Sequence, residues 1–269
     1  MSWASGHFEL PATPDGTEMP QTAQLVATVA MAVLVAGFAV YALREITRRR
    51  SVTLVLLLVG GAISYFNEPI DDVLGLAWHP VVGQWTALDT FSRVPLWGLG
   101  IYIVFFGGMP YLILQNLLRG MTRRQLWGWV GVLAVLDVAV ELPILASGIY
   151  SYYGGAPLQV GGFPVYWIVI NTVGPLALAV LLLAAGESFT GWRAVYLLVL
   201  PMVCDAAGSV AVGWPIFSAL NAQASAPVQW LAAGLTITIG LAALDLLIVY
   251  AARTSAALGH AKTVGAVGV

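Results

Sequence analysis

Seven long apolar runs, separated by short polar or glycine- and proline-rich breaks, dominate the chain. They cover approximately residues 22–44, 51–68, 95–118, 126–147, 164–185, 192–213 and 229–252. Each approaches or exceeds the roughly 20 residues that a helix needs to cross a bilayer. Pro69 and Pro143 blur the outer ends of the second and fourth runs. The pattern predicts an all-α, polytopic membrane protein: a seven-transmembrane-helix bundle over residues 22–253. A polar N-terminal tail, 1–21, precedes it and a cytoplasmic C-terminal tail, 254–269, follows. The N-terminal tail has no Lys or Arg and no apolar stretch. Glu9, Asp15, Glu18, Pro11, Pro14 and Pro20 interrupt it, so it does not read as a cleavable signal.

Composition strengthens this picture. Charged residues make up 9% of the chain and hydrophobic ones 59%, whereas about a quarter of a soluble domain is charged. So few charges cannot cover a water-soluble surface. The single cysteine, Cys204, excludes an internal disulfide and a thiolate metal site. A net charge of −2 argues against a nucleic-acid partner. Ten of the eleven basic residues fall on one side of the predicted bundle, among them Arg44, Arg48–Arg50, Arg119, Arg123, Arg124, Arg193 and Arg253; only Arg93 lies opposite. By the positive-inside rule the N-terminus is outside and the C-terminus cytoplasmic. The expected location is the plasma membrane of a bacterium. The outer segments 67–94, 148–163 and 214–228 are rich in aromatics, including Trp78, Trp85, Tyr150, Tyr152, Tyr153, Phe163 and Trp214. These suit an interfacial belt or a lid over an outward-facing cavity.

The candidate chemistry lies in acids within the runs. Ionisable groups at membrane depth are costly and are functional candidates by default. Asp137 and Glu141 lie in run four, Asp205 in run six, Asp245 in run seven, and Glu68 at the exit of run two. No Lys or Arg is placed deep enough to neutralise them, so they hold protons, face water or bind a cation. Asp137 and Glu141, four apart, share one helix face. Such a pair keeps one neutral acid beside a carboxylate, the arrangement general acid–base chemistry needs. At 1.5 Å per residue, Asp137 lies roughly 16 Å from the cytoplasmic end, Asp205 and Glu141 roughly 20–23 Å, and Glu68 roughly 25 Å. Asn171 enters at a similar level from outside. These residues converge on the outer half of the bundle, whereas Asp245 falls near the cytoplasmic face and suits an interhelical hydrogen bond. Three stripes at helical spacing should face inward: Gly61, Ser64, Tyr65 and Glu68; Trp167, Asn171, Gly174 and Pro175; and Pro201, Asp205, Gly208 and Ser209. The bland alternative is that protonated acids merely tie helices together; four converging acids weigh against it.

Several chemistries lack their residues. A retinal Schiff base needs a lysine in the last span, and the only lysine is Lys262. The segment Asn67-Glu68-Pro69-Ile70-Asp71-Asp72 is a single Asp-rich motif, placed outside, where a membrane prenyltransferase needs two. His79 alone is available to a zinc hydrolase, so no metal ligand set and no cofactor are expected. No Gly-x-Ser-x-Gly elbow is present.

A set of short motifs runs through residues 60–170: "NEPIDDVLGLAWHP" (67–80), "RVPLWGLGIYIVFFGG" (93–108), "DVAVELPILASGIYSYYGG" (137–155) and "GFPVYW" (162–167). Their order resembles the actinobacterial membrane family named for the avermectin spirocyclase, AveC. Pro143 falls two residues after Glu141 rather than directly after it, a departure from that family. A looser similarity is to small seven-helix meroterpenoid cyclases of fungi, in whose roles Glu68 and Asp205 can be placed. Both resemblances imply acid-assisted cyclisation of a greasy substrate. The expected function is therefore a cofactor-independent membrane cyclase acting on a lipophilic terpenoid or polyketide. Glu68, Asp137, Glu141 and Asp205 are the candidate catalytic acids, and Tyr65, Trp97, Tyr102, Tyr150, Trp167 and Asn171 the candidate substrate-binding residues. The alternatives are a proton-coupled transporter using the same acids and a non-catalytic scaffold. The expected partners are a lipophilic small molecule and the bilayer; nothing in the sequence sets the oligomeric state.

Overall fold

Continuous apolar sequence makes long helices here, and proline and glycine decide where they bend. The computed structural model describes residues 11–14, 16–90 and 92–266, with side chains as far as residue 257. His7, Glu9, Asp15 and the side chains of His260 and Lys262 therefore lie outside the described residues. The chain is 74% helical. Seven segments are long and apolar enough to cross a membrane: Gln21–Arg49, Thr53–Gly75, Leu96–Leu117, Arg123–Ala146, Trp167–Ser188, Gly191–Asn221 and Ala226–Ala257.

Span one is a single helix, α1 (Gln21–Arg49). Span two is α2 (Thr53–Ser64), a 3₁₀ turn at Tyr65–Asn67, and α3 (Glu68–Gly75). This corrects the expected end at residue 68. Pro69 lacks an N–H, but it occupies the first turn of α3, where a helix needs no donor. Leu76, in the left-handed region at φ 53°, then stops α3. Span three is α4 (Leu96–Tyr102), a π-helical turn (Ile103–Gly108) and α5 (Met109–Leu117). Spans two and three meet backbone to backbone: a Cβ on Gly61 would lie 2.8 Å from the Tyr102 carbonyl oxygen.

Span four is α6 (Arg123–Ala146), opened by a Thr122–Gln125 capping box. Span five is α7 (Trp167–Ala185) with a short 3₁₀ extension. Span six begins as a 3₁₀ segment (Gly191–Leu198) and continues as α8 (Leu200–Asn221). The expected outer segment 214–228 is thus largely helical. Pro215 does not break α8, and the next amide, Ile216 N–H, also reaches the Thr236 hydroxyl at 3.3 Å. α9 (Ala226–Ala266) runs well past the expected end of span seven, so most of the anticipated tail is helix.

The inter-span segments form three two-stranded antiparallel ribbons: β1 (Ala77–Trp78) with β4 (Ser151–Tyr152), β2 (Thr86–Asp89) with β3 (Arg93–Pro95), and β5 (Gln159–Val160) with β6 (Phe163–Pro164). They share one end of the bundle. The arginine-rich segments share the other, where Arg49 donates to Gln115 at 2.8 Å and Arg123 pairs with Asp245. The Asp245 pairing joins α6 to α9, an interhelical tie of the kind expected for it.

α7, α8 and α9 pack against one another, α1 lies on α4, and α6 lies on α7 and α9. The three small-and-polar stripes turn inward: Ser64, Tyr65, Gly174, Asp205, Gly208 and Ser209 are all buried. The outer surface is apolar, with Val33, Val135, Leu231 and Leu246 each at least 65% exposed. Exposed apolar area of this extent marks a surface built to meet something other than water.

Candidate functional site

α3 carries the site's acids because its short length presents one face. Glu68, Asp71 and Asp72 are spaced i, i+3 and i+4, so all three side chains point the same way. Asp71 and Asp72, expected in an outer loop, are buried on this helix. The correction follows from the continuation of span two through Pro69.

Opposite them stands α6, with Asp137 and Glu141 one turn apart. Between the two helices is a cavity of about 140 Å³ lined by all five carboxylates. Its other walls are aromatic or aliphatic: Trp97, Tyr102, Phe105, Phe106, Tyr150, Tyr152 and Trp167 among them. The π-helical turn in span three matters here, since it brings the consecutive residues Val104, Phe105 and Phe106 all to the lining. Tyr150 and Tyr152 reach it because β4 pairs with β1.

Three of the carboxylates have a distinct tether. Tyr102 donates its hydroxyl to Glu68 Oε2 at 2.8 Å. Ser92 donates to Asp72 Oδ2 at 3.1 Å. Asn171 donates to Asp137 Oδ1 at 3.0 Å. Asp137 Oδ2 and Glu141 Oε2 are buried with no hydrogen-bond partner among the described residues. Leaving such oxygens unpaired costs about 1–3 kcal/mol each, so their persistence points to a group that works on something else.

Five of the six expected substrate-binding residues line the cavity: Trp97, Tyr102, Tyr150, Trp167 and Asn171. Tyr65 does not. It is buried behind Gly98 and donates to the Pro95 carbonyl at 2.6 Å, a structural tie between spans two and three. Glu68, Asp137 and Glu141 line the cavity, but Asp205 does not. Asp205 accepts from Asn67 at 2.7 Å, where the 3₁₀ turn of span two meets α8. The rise per residue sets Asp205 at a depth close to Glu141, but depth says nothing about which way a side chain points.

His79 is the residue that the sequence concealed. It follows β1 in an inter-span segment but is 2% exposed. Its Nε2 lies 3.5 Å from both Glu68 Oε1 and Asp72 Oδ1. Tyr150 stacks on the ring at 4.6 Å, and Trp97 meets it edge-on at 5.5 Å. Burial alone would lower the imidazole pKa, but Asp72 and then Glu68 outweigh burial and lift it to about 10. The acids thus have a buried cation that no Lys or Arg supplies. Glu68, Asp72 and His79 together are also a set of donors that can hold a metal ion, which the sequence did not lead one to expect.

No known family model, curated protein or solved structure matches the chain. Function must therefore be argued from this site.

Proposed function

We propose that the chain is an integral membrane cyclase. It lies in the plasma membrane with its N-terminus outside and uses carboxylate acid–base chemistry to close a ring in a lipophilic terpenoid or polyketide. The observation that carries this reading is the cavity itself: an aromatic chamber in which an unpaired Asp137–Glu141 oxygen pair faces the carboxylates of α3. The motif likeness to AveC-type spirocyclases points the same way.

The chamber supports a route for a greasy substrate. Leu34 on α1 and Leu136 on α6 line the cavity yet are 46% and 40% exposed, so they mark a mouth on the lateral, lipid-facing side. A volume of about 140 Å³ is close to the ~150 Å³ that takes a benzene-sized ligand. It accepts the reacting ring or isoprene unit, while the tail stays in the mouth and the bilayer.

The chemistry needs one proton delivered and one removed. Asn171 donates to Asp137, which favours Asp137 as the carboxylate and Glu141 as the neutral acid. Glu141 protonates an epoxide or ketone oxygen, or an alkene carbon, of the substrate. A ring C–C or C–O bond forms at the resulting cationic centre. Asp137 takes the proton lost from the product, so closure on an epoxide or alkene is a net isomerisation, whereas a dihydroxyketone closing to a spiroketal also releases water. The π faces of Trp97, Tyr102 and Trp167 stabilise the cation in transit, and the closed walls keep out water that would quench it.

A transporter reading fits less well. The cavity's carboxylates all lie in the half of the bundle near the ribbons, and at the arginine-rich end Glu45 and Asp245 are tied to Tyr111 and Arg123. Toward the arginine-rich end, the described residues Ile113, Leu117, Leu126 and Leu133 are fully buried and apolar. A proton relay across the bundle needs polar groups along the whole path.

The test is product analysis by mass spectrometry in a membrane host supplied with candidate linear precursors. A cyclase converts a precursor to an isomer of equal mass or, for a spiroketal, to a product lighter by one water. Proteoliposomes that show pH-driven flux of an unchanged substrate would favour transport instead.

A further inference from the structure

Glu68, Asp72 and His79 form a cluster whose ion pairs are too long for good hydrogen bonds. Their donor atoms all lie within 4.8 Å of one another. The two contacts to His79 Nε2, at 3.5 Å each, exceed the roughly 2.7–3.2 Å of a hydrogen bond. They match the edge of a coordination polyhedron. Two ligands each about 2.1 Å from a zinc ion, at the tetrahedral angle, stand about 3.4 Å apart.

The supporting contacts have the pattern of a ligand set. Each carboxylate has one oxygen anchored by a hydroxyl, Glu68 Oε2 by Tyr102 and Asp72 Oδ2 by Ser92. The remaining oxygens, Glu68 Oε1 and Asp72 Oδ1, are the ones turned toward Nε2. Outer partners of this kind orient metal ligands and are part of a site's affinity. His79 is buried, yet neither ring nitrogen makes a hydrogen bond among the described residues, and neither does Asp72 Oδ1. Nε2 and Asp72 Oδ1, buried and facing each other, call for a common partner.

We propose that Glu68, Asp72 and His79 bind a zinc ion. Two carboxylates balance the ion's charge, and an imidazole with carboxylate oxygens is a donor set zinc accepts. The ion takes the place of the proton on His79, which binding releases. Glu68 and Asp72 both line the cavity, so the fourth coordination position opens there, toward a water or a substrate oxygen. Zinc at that position is a Lewis acid facing the Asp137–Glu141 pair across the chamber. The metal site stands whether or not the chain is a cyclase, because its readout is zinc itself.

The full chain, purified in detergent without chelator, should carry about one zinc per chain by elemental mass spectrometry. After chelation, added zinc chloride should rebind with micromolar or tighter affinity by calorimetry and raise the melting temperature. Asp72→Asn and His79→Gln should each weaken binding by at least about tenfold. Glu45→Gln, a buried acid on α1 held by Tyr111 at the opposite end, should bind as the unaltered chain does. The proposal is overturned if the unaltered chain takes up no zinc and its melting temperature does not move, a result that needs no variant to fold. It is equally overturned if Asp72→Asn and His79→Gln bind zinc as tightly as the unaltered chain.

Discussion

Glu141 and Tyr65 are both conspicuous in the sequence, and the fold uses them in opposite ways. Glu141 turns an unpaired oxygen into the cavity, and Glu141→Gln keeps the shape while removing the proton. It should lower product formation by about 10²–10⁴-fold, the usual worth of a positioned acid, with melting temperature retained; quantitative mass spectrometry of the product checks this. Tyr65 spends its hydroxyl on the Pro95 carbonyl. Tyr65→Phe should therefore cost about 1 kcal/mol of stability and leave the product profile unchanged, which separates a structural tyrosine from a substrate-binding one. The intramembrane acids were legible as residues because a charge in an apolar run stands out. His79 was not, because its burial depends on β1 pairing with β4, two strands of two residues each from segments some 70 residues apart. Strands that short leave no periodic signal, and a histidine beside a proline, in a segment between spans, reads as surface.

At the level of elements, the seven spans were legible and their ends were not. Run length identifies a helix, but a proline is ambiguous: Pro69 blurs the end of run two, and in the fold it is the first turn of α3. Ending the run there moves Asp71 and Asp72 from the cavity wall to an outer loop. The junction it hides is held by Asn67, which donates to Asp205 at 2.7 Å and to the Met202 carbonyl at 3.0 Å. Asn67→Ala leaves Asp205 buried without its donor, so it should destabilise the fold by about 1–3 kcal/mol, read as a lower melting temperature. The mouth between α1 and α6 offers a second test. Leu136→Trp narrows the lipid-side opening without touching an acid. It should raise KM for a membrane-dissolved precursor several-fold while kcat and melting temperature hold, as expected when only access is impaired.

The whole molecule is polarised along its axis. Arginines gather at one end, the ribbons and the cavity's carboxylates at the other, and the sides between them are apolar. The charge asymmetry was fully legible because it needs only a count of basic residues per segment. The convergence of the acids was legible as depth, but not as direction. Glu68, Asp137 and Glu141 face one chamber while Asp205, at similar depth, serves the α2–α8 junction. The proposed orientation has a direct test with a membrane-impermeant thiol reagent. Gln159→Cys, exposed in β5, should label in intact cells. Ser188→Cys, exposed between spans five and six, should label only after permeabilisation. The reverse pattern would invert the assignment, and Cys204, being buried, contributes little background.

A chamber of about 140 Å³ with a side mouth has no ruler in it. On the proposed cyclase function it grips one reacting unit and leaves the remainder of the substrate unmeasured in the lipid. The protein should then sort substrates by their heads and be indifferent to chain length. Precursors that share a terminal unit but differ by several isoprene or ketide extensions should turn over at similar kcat. One such catalyst would serve a whole homologous series, and the diversity of products would be set upstream by whatever enzyme decides how long the chain grows.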